Sequence, residues 1–218
     1  MNIKRIIENK ITDYGDKFFS SHRRKMIIDG RENFTIISNT CWAGYVYRYF
    51  GLQYNTPTVG CGFFAEDYIR FLSDLKGYLS TKMVMFSAEE SRHYETILTQ
   101  PLKFQKCPYG RLGDVEVRFA HYKTPEEALY HWEKRKERVN FNHLIVKFSE
   151  HLECTKDHIM AFDSLPYCDK FVFTAHDYNI SSQILFKEFL SLGDVKDDTR
   201  HFNRYINLVD MVNGTMFK

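Results

Sequence analysis

The sequence has no long apolar run, no C-x-x-C pair, no glycine-rich phosphate loop and no large excess of charge of either sign. Each absence removes a class of protein. No stretch approaches the ~20 apolar residues that a membrane-spanning helix needs. MNIKRIIENKITDYGDK carries charges every few residues where a secretory signal would carry an apolar core. A cytoplasmic location is therefore expected. Lys4, Arg5 and the run His22, Arg23, Arg24, Lys25 form a basic face suited to a solvated helix or to peripheral contact with an anionic membrane. Thirty basic against 28 acidic residues leave a formal charge of +2, without the concentrated basic face that nucleic acid requires. The five cysteines, Cys41, Cys61, Cys107, Cys154 and Cys168, are odd in number and unpaired by spacing, so free thiols in a reducing compartment are expected. Nine histidines show neither H-x-x-x-H nor H-E-x-x-H, and no metal site is expected.

What is present is a chain of 218 residues, 44% hydrophobic and rich in rings, with 19 Phe and 14 Tyr. That suits one α/β domain with an aromatic core, and leaves rings to line a cleft for a sugar or nucleotide. There is no internal repeat. The first thirty residues read as a helical segment, with Ile3, Ile6, Ile7 and Ile11 at spacings of three and four. Strands are expected at Phe34–Ile37, Lys82–Phe86, Val115–Ala120, His143–Phe148 and Lys170–Ala175, the third with Glu116 and Arg118 on a polar face. Helices are expected near Ala43–Phe50, through FFAEDYIRFLSDLKGYL, from Thr124-Pro125-Glu126-Glu127 onward, at Thr155–Phe162, at Ser181–Ser191 and at Asp198–Val212. Ser87–Tyr109 reads as mostly irregular. Thr124 caps its helix, Pro125 suits the first position, and Glu127 completes a capping box. Strands alternating with helices predict a three-layer α/β fold, a mostly parallel, Rossmann-like sheet flanked by helices, with residues 1–30 packing on it.

In such sheets ligands gather beyond the carboxyl ends of the strands. Here every expected strand empties into polar or titratable groups: Ser38, Asn39, Thr40 and Cys41; then Ser87, Glu89 and Glu90; then His121 and Tyr122; then Ser149, Glu150 and His151; then His176 and Asp177. Cys41 stands before a helix start, where backbone N–H groups would favour a thiolate. His121 or His176 would serve as its base and Asp177 would orient that base. Competing readings are a small buried cysteine and polar turns at both histidines. Ser38, Asn39 and Thr40 offer donors to a phosphate or an oxyanion, and Gly44 allows close approach to the helix start. Arg135 and Arg138 would clamp an anion or simply form a solvated helix face.

SNTCWAGYVYRYFGLQYNTPTVG, FFAEDYIRFLSDLKGYL, LGDVEVRFAHYKTPEEALYHWEKRKERVN and HLIVKF together resemble the bacterial domain of unknown function 1919 family, whose members are often labelled exopolysaccharide biosynthesis proteins. The resemblance runs from about Phe34 to Asp177. Its recurring features fall on Ser38, Asn39, Cys41, Trp42, Gly44, Pro57, Gly113, Asp114, His121, Tyr122, Trp132, Arg135 and Arg138. It implies a role in making or decorating a surface polysaccharide, with a sugar or glycan intermediate as partner. The loop also resembles that of capsule acetyltransferases in which an Asn-Cys pair follows the first strand, although Thr40 intervenes here. An acyltransferase using acetyl-coenzyme A is therefore expected first. A nucleotide-sugar glycosyltransferase and a non-catalytic glycan-binding scaffold displaying Tyr45, Tyr47, Tyr49 and Tyr54 are the rivals.

Overall fold

Residues 18–216 are described by a computed structural model, in which residues 18–24 are helical. The helix expected from Ile3, Ile6, Ile7 and Ile11 lies outside the described residues. The elements run β1 (Thr35–Ser38), α1 (Trp42–Phe50), α2 (Ala65–Ser73), α3 (Leu75–Ser80), β2 (Val84–Phe86), α4 (Tyr94–Thr99), α5 (Leu102–Gln105), β3 (Tyr109–Leu112) and β4 (Val115–Arg118). They continue with α6 (Pro125–Lys136), β5 (Leu144–Ser149), α7 (Lys156–Asp163), β6 (Asp169–Thr174), β7 (Gln183–Leu185), α8 (Asp198–His201) and α9 (Leu208–Val212).

Two sheets form where one was expected. Strands β1-β5-β6-β7 make a parallel sheet, and β2-β3-β4 make a separate antiparallel one. The parallel strands alternate with period two between two cores. Ile36, Ile145, Phe171 and Phe173 pack into a core with Trp42, Val46, Tyr47 and Phe50 of α1. Ile37, Val146, Phe148 and Val172 pack on the other side with Tyr68 and Phe71 of α2, Trp132 of α6 and Phe162 of α7. The antiparallel sheet joins this second core through Leu112, Val115, Val117 and Phe119. Its polar side is not solvated as expected: Glu116 is 3% and Arg118 8% exposed.

The termini of elements follow local chemistry. Gly51 ends α1 at φ +61°, the left-handed conformation that glycine takes without penalty. Thr124 Oγ1 accepts from the Glu127 N–H at 3.2 Å, while the Glu127 carboxylate accepts from the Lys123 amide rather than closing the box at Thr124. The helix expected at Ser181–Ser191 is instead β7 and a 3-10 turn, because Gln183, Ile184 and Leu185 pair beside Val172, Phe173 and Thr174. The expected helix Asp198–Val212 is broken in the middle. Phe202, Ile206 and Leu208 are all buried, which one straight helix could not achieve, and Asn207 caps a new start through the Val209 N–H at 2.9 Å. The segment expected to be irregular carries α4 and α5.

A buried ion pair locks the carboxyl end of the parallel sheet. Lys147 on β5 is fully buried and bonds Asp198, Thr40 Oγ1 (2.9 Å) and Ser149 Oγ (2.5 Å). Asp198 also accepts from Thr40 Oγ1 at 2.6 Å and Ser149 Oγ at 2.8 Å. Burial works to raise the Asp198 pKa, but Lys147 and the two hydroxyls outweigh it and hold the carboxyl below its ordinary 3.8. A second buried cluster fastens α2 to the antiparallel sheet. Asp67 accepts from the Glu116 amide at 2.7 Å and meets His93 Nε2 at 2.7 Å, while His93 Nδ1 meets Glu153 at 2.8 Å.

Replacing Asp198 by Asn leaves Lys147, whose pKa burial already lowers, without its carboxylate. The expected cost is about 3–5 kcal/mol of unfolding free energy by urea denaturation. Because the folded Asp198 pKa is depressed, its contribution is complete above 3.8 and is lost as pH falls through the folded value. The difference between wild type and Asp198→Asn is therefore expected to shrink in acid and to persist at neutral pH.

Candidate functional site

The loop from Ser38 to Cys41 splits its residues between the interior and a cleft. Ser38 and Asn39 are buried, and the Asn39 amide clasps β5, with Nδ2 donating to the Ser149 carbonyl at 3.0 Å and Oδ1 accepting the Ser149 N–H at 2.9 Å. Thr40 serves the Lys147–Asp198 pair, and Trp42 is fully buried against Phe171, Phe173 and Phe202. None of these four is among the residues that line the cleft, and the contacts they make here are structural. Pointing the other way are Cys41, Gly44, Tyr45 and Arg48, spaced as one face of a helix.

The opposite wall comes from the antiparallel sheet. Gly62 and Arg118 exchange backbone hydrogen bonds at 2.8 Å, and the His121 N–H reaches the Gly60 carbonyl at 3.2 Å. The Cys41 thiol in turn donates to the Cys61 carbonyl at 3.5 Å. Loop 59–62 thus carries His121 and Tyr122 to the start of α1. Gly60, at φ +76°, has Tyr122 Cε2 at 3.0 Å from where a Cβ would stand, so a side chain there would be strained and would crowd the tyrosine. Gly44 is close-packed too, with Val59 Cγ1 at 3.1 Å from its Cβ position. The Tyr122 hydroxyl donates to the Val59 carbonyl at 2.7 Å, and Arg135 Nη1 of α6 meets that hydroxyl at 2.5 Å.

The result is a cleft of about 330 Å³ that brings Cys41, Gly44, His121, Tyr122 and Arg135 together with Arg48, Tyr54, Glu127 and His131. Arg138 lies outside it, in an adjoining hollow of about 300 Å³ shared with Tyr54, His131 and Arg135, where it donates to the Tyr54 carbonyl at 3.2 Å. A larger hollow of about 730 Å³, lined by Phe19, Arg23, Tyr49 and Tyr205 among others, meets the cleft at Tyr45. Tyr47 is core, so the expected exposed tyrosine stripe does not form.

His176 and Asp177 do not join this cleft. One strand, β5, lies between β6 and β1 in the sheet order, and neither residue is among those lining the cleft. His176 is oriented by Glu150, not by Asp177. The buried Glu150 carboxylate accepts from His176 Nδ1 at 2.6 Å, the Ala175 amide at 2.6 Å and the Tyr178 hydroxyl at 2.5 Å. Asp177 merely closes a turn by accepting the Asn179 N–H at 3.1 Å.

The thiol is not activated as its place before a helix suggests. Burial pushes Cys41 up to about 11, and the opposing charge of Arg118 only partly offsets it. His121 shifts down through partial desolvation and then through Lys103, Arg48 and Arg118, which favours the neutral imidazole. Its ring has no hydrogen-bond partner among the described residues, which leaves its ring nitrogens available to a ligand. Sequence reasoning missed Arg48, His131, Lys147 and Arg118 as site residues, and named Glu150 as a strand-end group without pairing it to His176. A signal existed for Lys147, the lone cation in the apolar run HLIVKF.

An α/β protein whose two sheets meet at a basic, tyrosine-walled cleft is the class that this fold and site define. The family model described as a domain of unknown function, DUF1919, matches residues 11–215, and the chain belongs to that family. A Haemophilus influenzae protein called only an uncharacterized protein is 26% identical over 147 residues, 67% of this chain and 64% of that protein. The aligned stretch thus covers less than two thirds of that relative. No helix among the described residues is long and apolar enough to cross a membrane, and no group of three or more His, Cys, Asp or Glu among them is placed to hold a metal ion.

Alkylation of Cys41, followed by mass spectrometry, is expected to be slow at neutral pH and to accelerate as pH approaches about 11. Exposed Cys168 is the internal reference. A neutral-pH rate at Cys41 equal to or above that of Cys168 would contradict the burial argument.

Proposed function

We propose that the chain is one three-layer, Rossmann-like α/β domain acting in the cytoplasm as a transferase of surface-polysaccharide synthesis, moving an acetyl group from acetyl-coenzyme A to a sugar hydroxyl. The observation that carries this reading is the meeting of Cys41, His121 and Arg135, from three distant segments, in one cleft walled by tyrosines. Rings of Tyr45, Tyr54 and Tyr122 suit the faces of a sugar, and Arg48 and Arg135 suit the phosphates of the donor. Neutral His121 takes the proton of the accepting hydroxyl as its oxygen attacks the thioester carbonyl. The ester forms, the carbon–sulfur bond breaks, and the coenzyme leaves as a thiolate that picks up a proton. With its thiol held protonated, Cys41 acts here as a wall of the site and not as a covalent relay. Direct transfer needs only the histidine.

A second reading, favoured by the Glu150–His176 pair, places the base at the end of β6. The carboxylate there fixes the imidazole more firmly than anything fixes His121.

The test is release of free coenzyme thiol from acetyl-coenzyme A in the presence of a panel of sugars and nucleotide sugars. His121→Ala is expected to lower sugar-dependent release by about 10²–10⁴-fold, and His176→Ala by no more than a few-fold. The reverse pattern assigns the base to His176. No sugar-dependent release with any acceptor defeats acetyl transfer, and release of nucleotide from the nucleotide sugars instead would establish the glycosyltransferase.

A further inference from the structure

Arg118 is a buried cation that the protein leaves without an anionic partner. Its side chain is 8% exposed, its Nε and Nη1 have no hydrogen-bond partner, and no carboxylate pairs with it among the described residues. The guanidinium lies over the Phe104 ring, 4.1 Å from its centroid, and Lys103 Nζ lies 4.7 Å from that same centroid. Nη2 stands 2.8 Å from where a Cβ on Gly62 would be, so a side chain there would push the guanidinium aside. Buried charges are ordinarily paired, and buried donors ordinarily occupied. Here a cation–π contact and a neighbouring phenol, Tyr109, are what the protein supplies.

The position of this cation relates it to the cleft. Gly62, against which Arg118 packs, follows Cys61, whose carbonyl receives the Cys41 thiol. The charges that bear on Cys41 are Arg118, Asp198, Lys103 and Lys147, and Asp198 is already matched to Lys147. Those that bear on His121 are Lys103, Arg48 and Arg118, all positive. Positive charge therefore accumulates beside Cys41 and His121, with Glu127 the acidic residue of the cleft lining and Asp198 already matched to Lys147.

We propose that this locus is an anion site: a phosphoryl group enters beside Cys41 and His121 and takes the empty donors of Arg118, with Lys103 supplying a second positive charge. Arginine at its core suits a phosphate oxygen better than a hydrated lysine would. Several cations acting on one histidine fit a multiply charged phosphoryl group better than a single carboxylate. Short helix α5 carries both Lys103 and Phe104, the residue whose ring the Arg118 guanidinium overlies. Assigning the phosphoryl group to the donor of a transfer reaction rests on the transferase reading above; the anion site itself does not.

The experiment uses the full chain in phosphate-free buffer, with inorganic phosphate as the first probe and two readouts, thermal unfolding and the rate of Cys41 alkylation. Phosphate is expected to raise the melting temperature and to slow Cys41 alkylation, because an anion beside Arg118 both covers the thiol and removes the charge that favours its thiolate. Arg118→Met, which keeps the length and removes the charge, is expected to weaken phosphate binding by about tenfold or more. Should that variant not fold, the exposed Lys103→Gln carries the test with an expected loss of about threefold. Uridine diphosphate and coenzyme A, as competitors of phosphate in the same assay, distinguish a nucleotide-sugar donor from an acyl-coenzyme donor. Absence of any phosphate effect on the wild type overturns the proposal, as does an equal effect on Arg118→Met. Phosphate binding without transfer activity leaves this site standing and defeats only the acetyl-transfer reading. Transfer without phosphate binding does the opposite.

Discussion

An ammonium group buried beside Trp42 and Phe173 is untenable without a carboxylate, and much of the upper half of this protein is arranged to supply one to Lys147. The carboxylate arrives 51 residues later, from Asp198. Thr40 and Ser149 fill the remaining hydrogen bonds of the pair. One ion pair thereby joins the middle strand of the parallel sheet, the loop leading to α1 and the carboxyl-terminal segment. The inward turn of Thr40 also fixes which way its neighbours face.

The cleft follows from that arrangement. With Thr40 and Trp42 committed to the interior, Cys41 faces outward, and α1 continues the division along its length. Residues 42, 43, 46, 47 and 50 enter the core, while 44, 45 and 48 line the cleft, Tyr45 also packing against the core. The strands of the antiparallel sheet then bring their own polar termini against this exposed face. The site belongs to neither sheet alone. It is the seam between them, and its charge is that of the seam: arginines from α1 and α6 with Glu127 as the acidic member of the lining.

Much of the local structure was legible. The β-branched and aromatic runs at Thr35–Ser38, Leu144–Ser149 and Asp169–Thr174 announce strands, and Thr124-Pro125 announces a helix start. The pairing of those strands was not legible, because a period of two marks a strand without saying which sheet it joins. That is why His121 and His176 look equivalent in the sequence and stand apart in the fold. β3 was invisible for a simpler reason. Its YGRL has no β-branched residue, and Gly110 is required because Met83 Sδ lies 2.4 Å from where a Cβ would stand. The carboxyl-terminal break escaped notice because Phe202, Tyr205, Ile206 and Val209 imitate a helical stripe, whereas the burial of Leu208 demands a change of direction. Among the candidate residues, side-chain type indicated chemistry correctly more often than it indicated exposure, since nothing in SNTCW says that four of its five side chains turn inward.

The parallel pairing of Thr35 with Leu144 has a consequence for the birth of the molecule on the ribosome. Among the described residues β1 pairs with β5 alone, so a nascent chain carries β1 without that partner until β5 has emerged. The antiparallel sheet, whose three strands lie between Val84 and Arg118, can assemble in that interval from neighbours alone. The neutralising carboxylate for Lys147 emerges later still. Synthesis thus presents an exposed apolar strand first and its stabilising contacts last, and chaperone demand should fall on the first half of the chain.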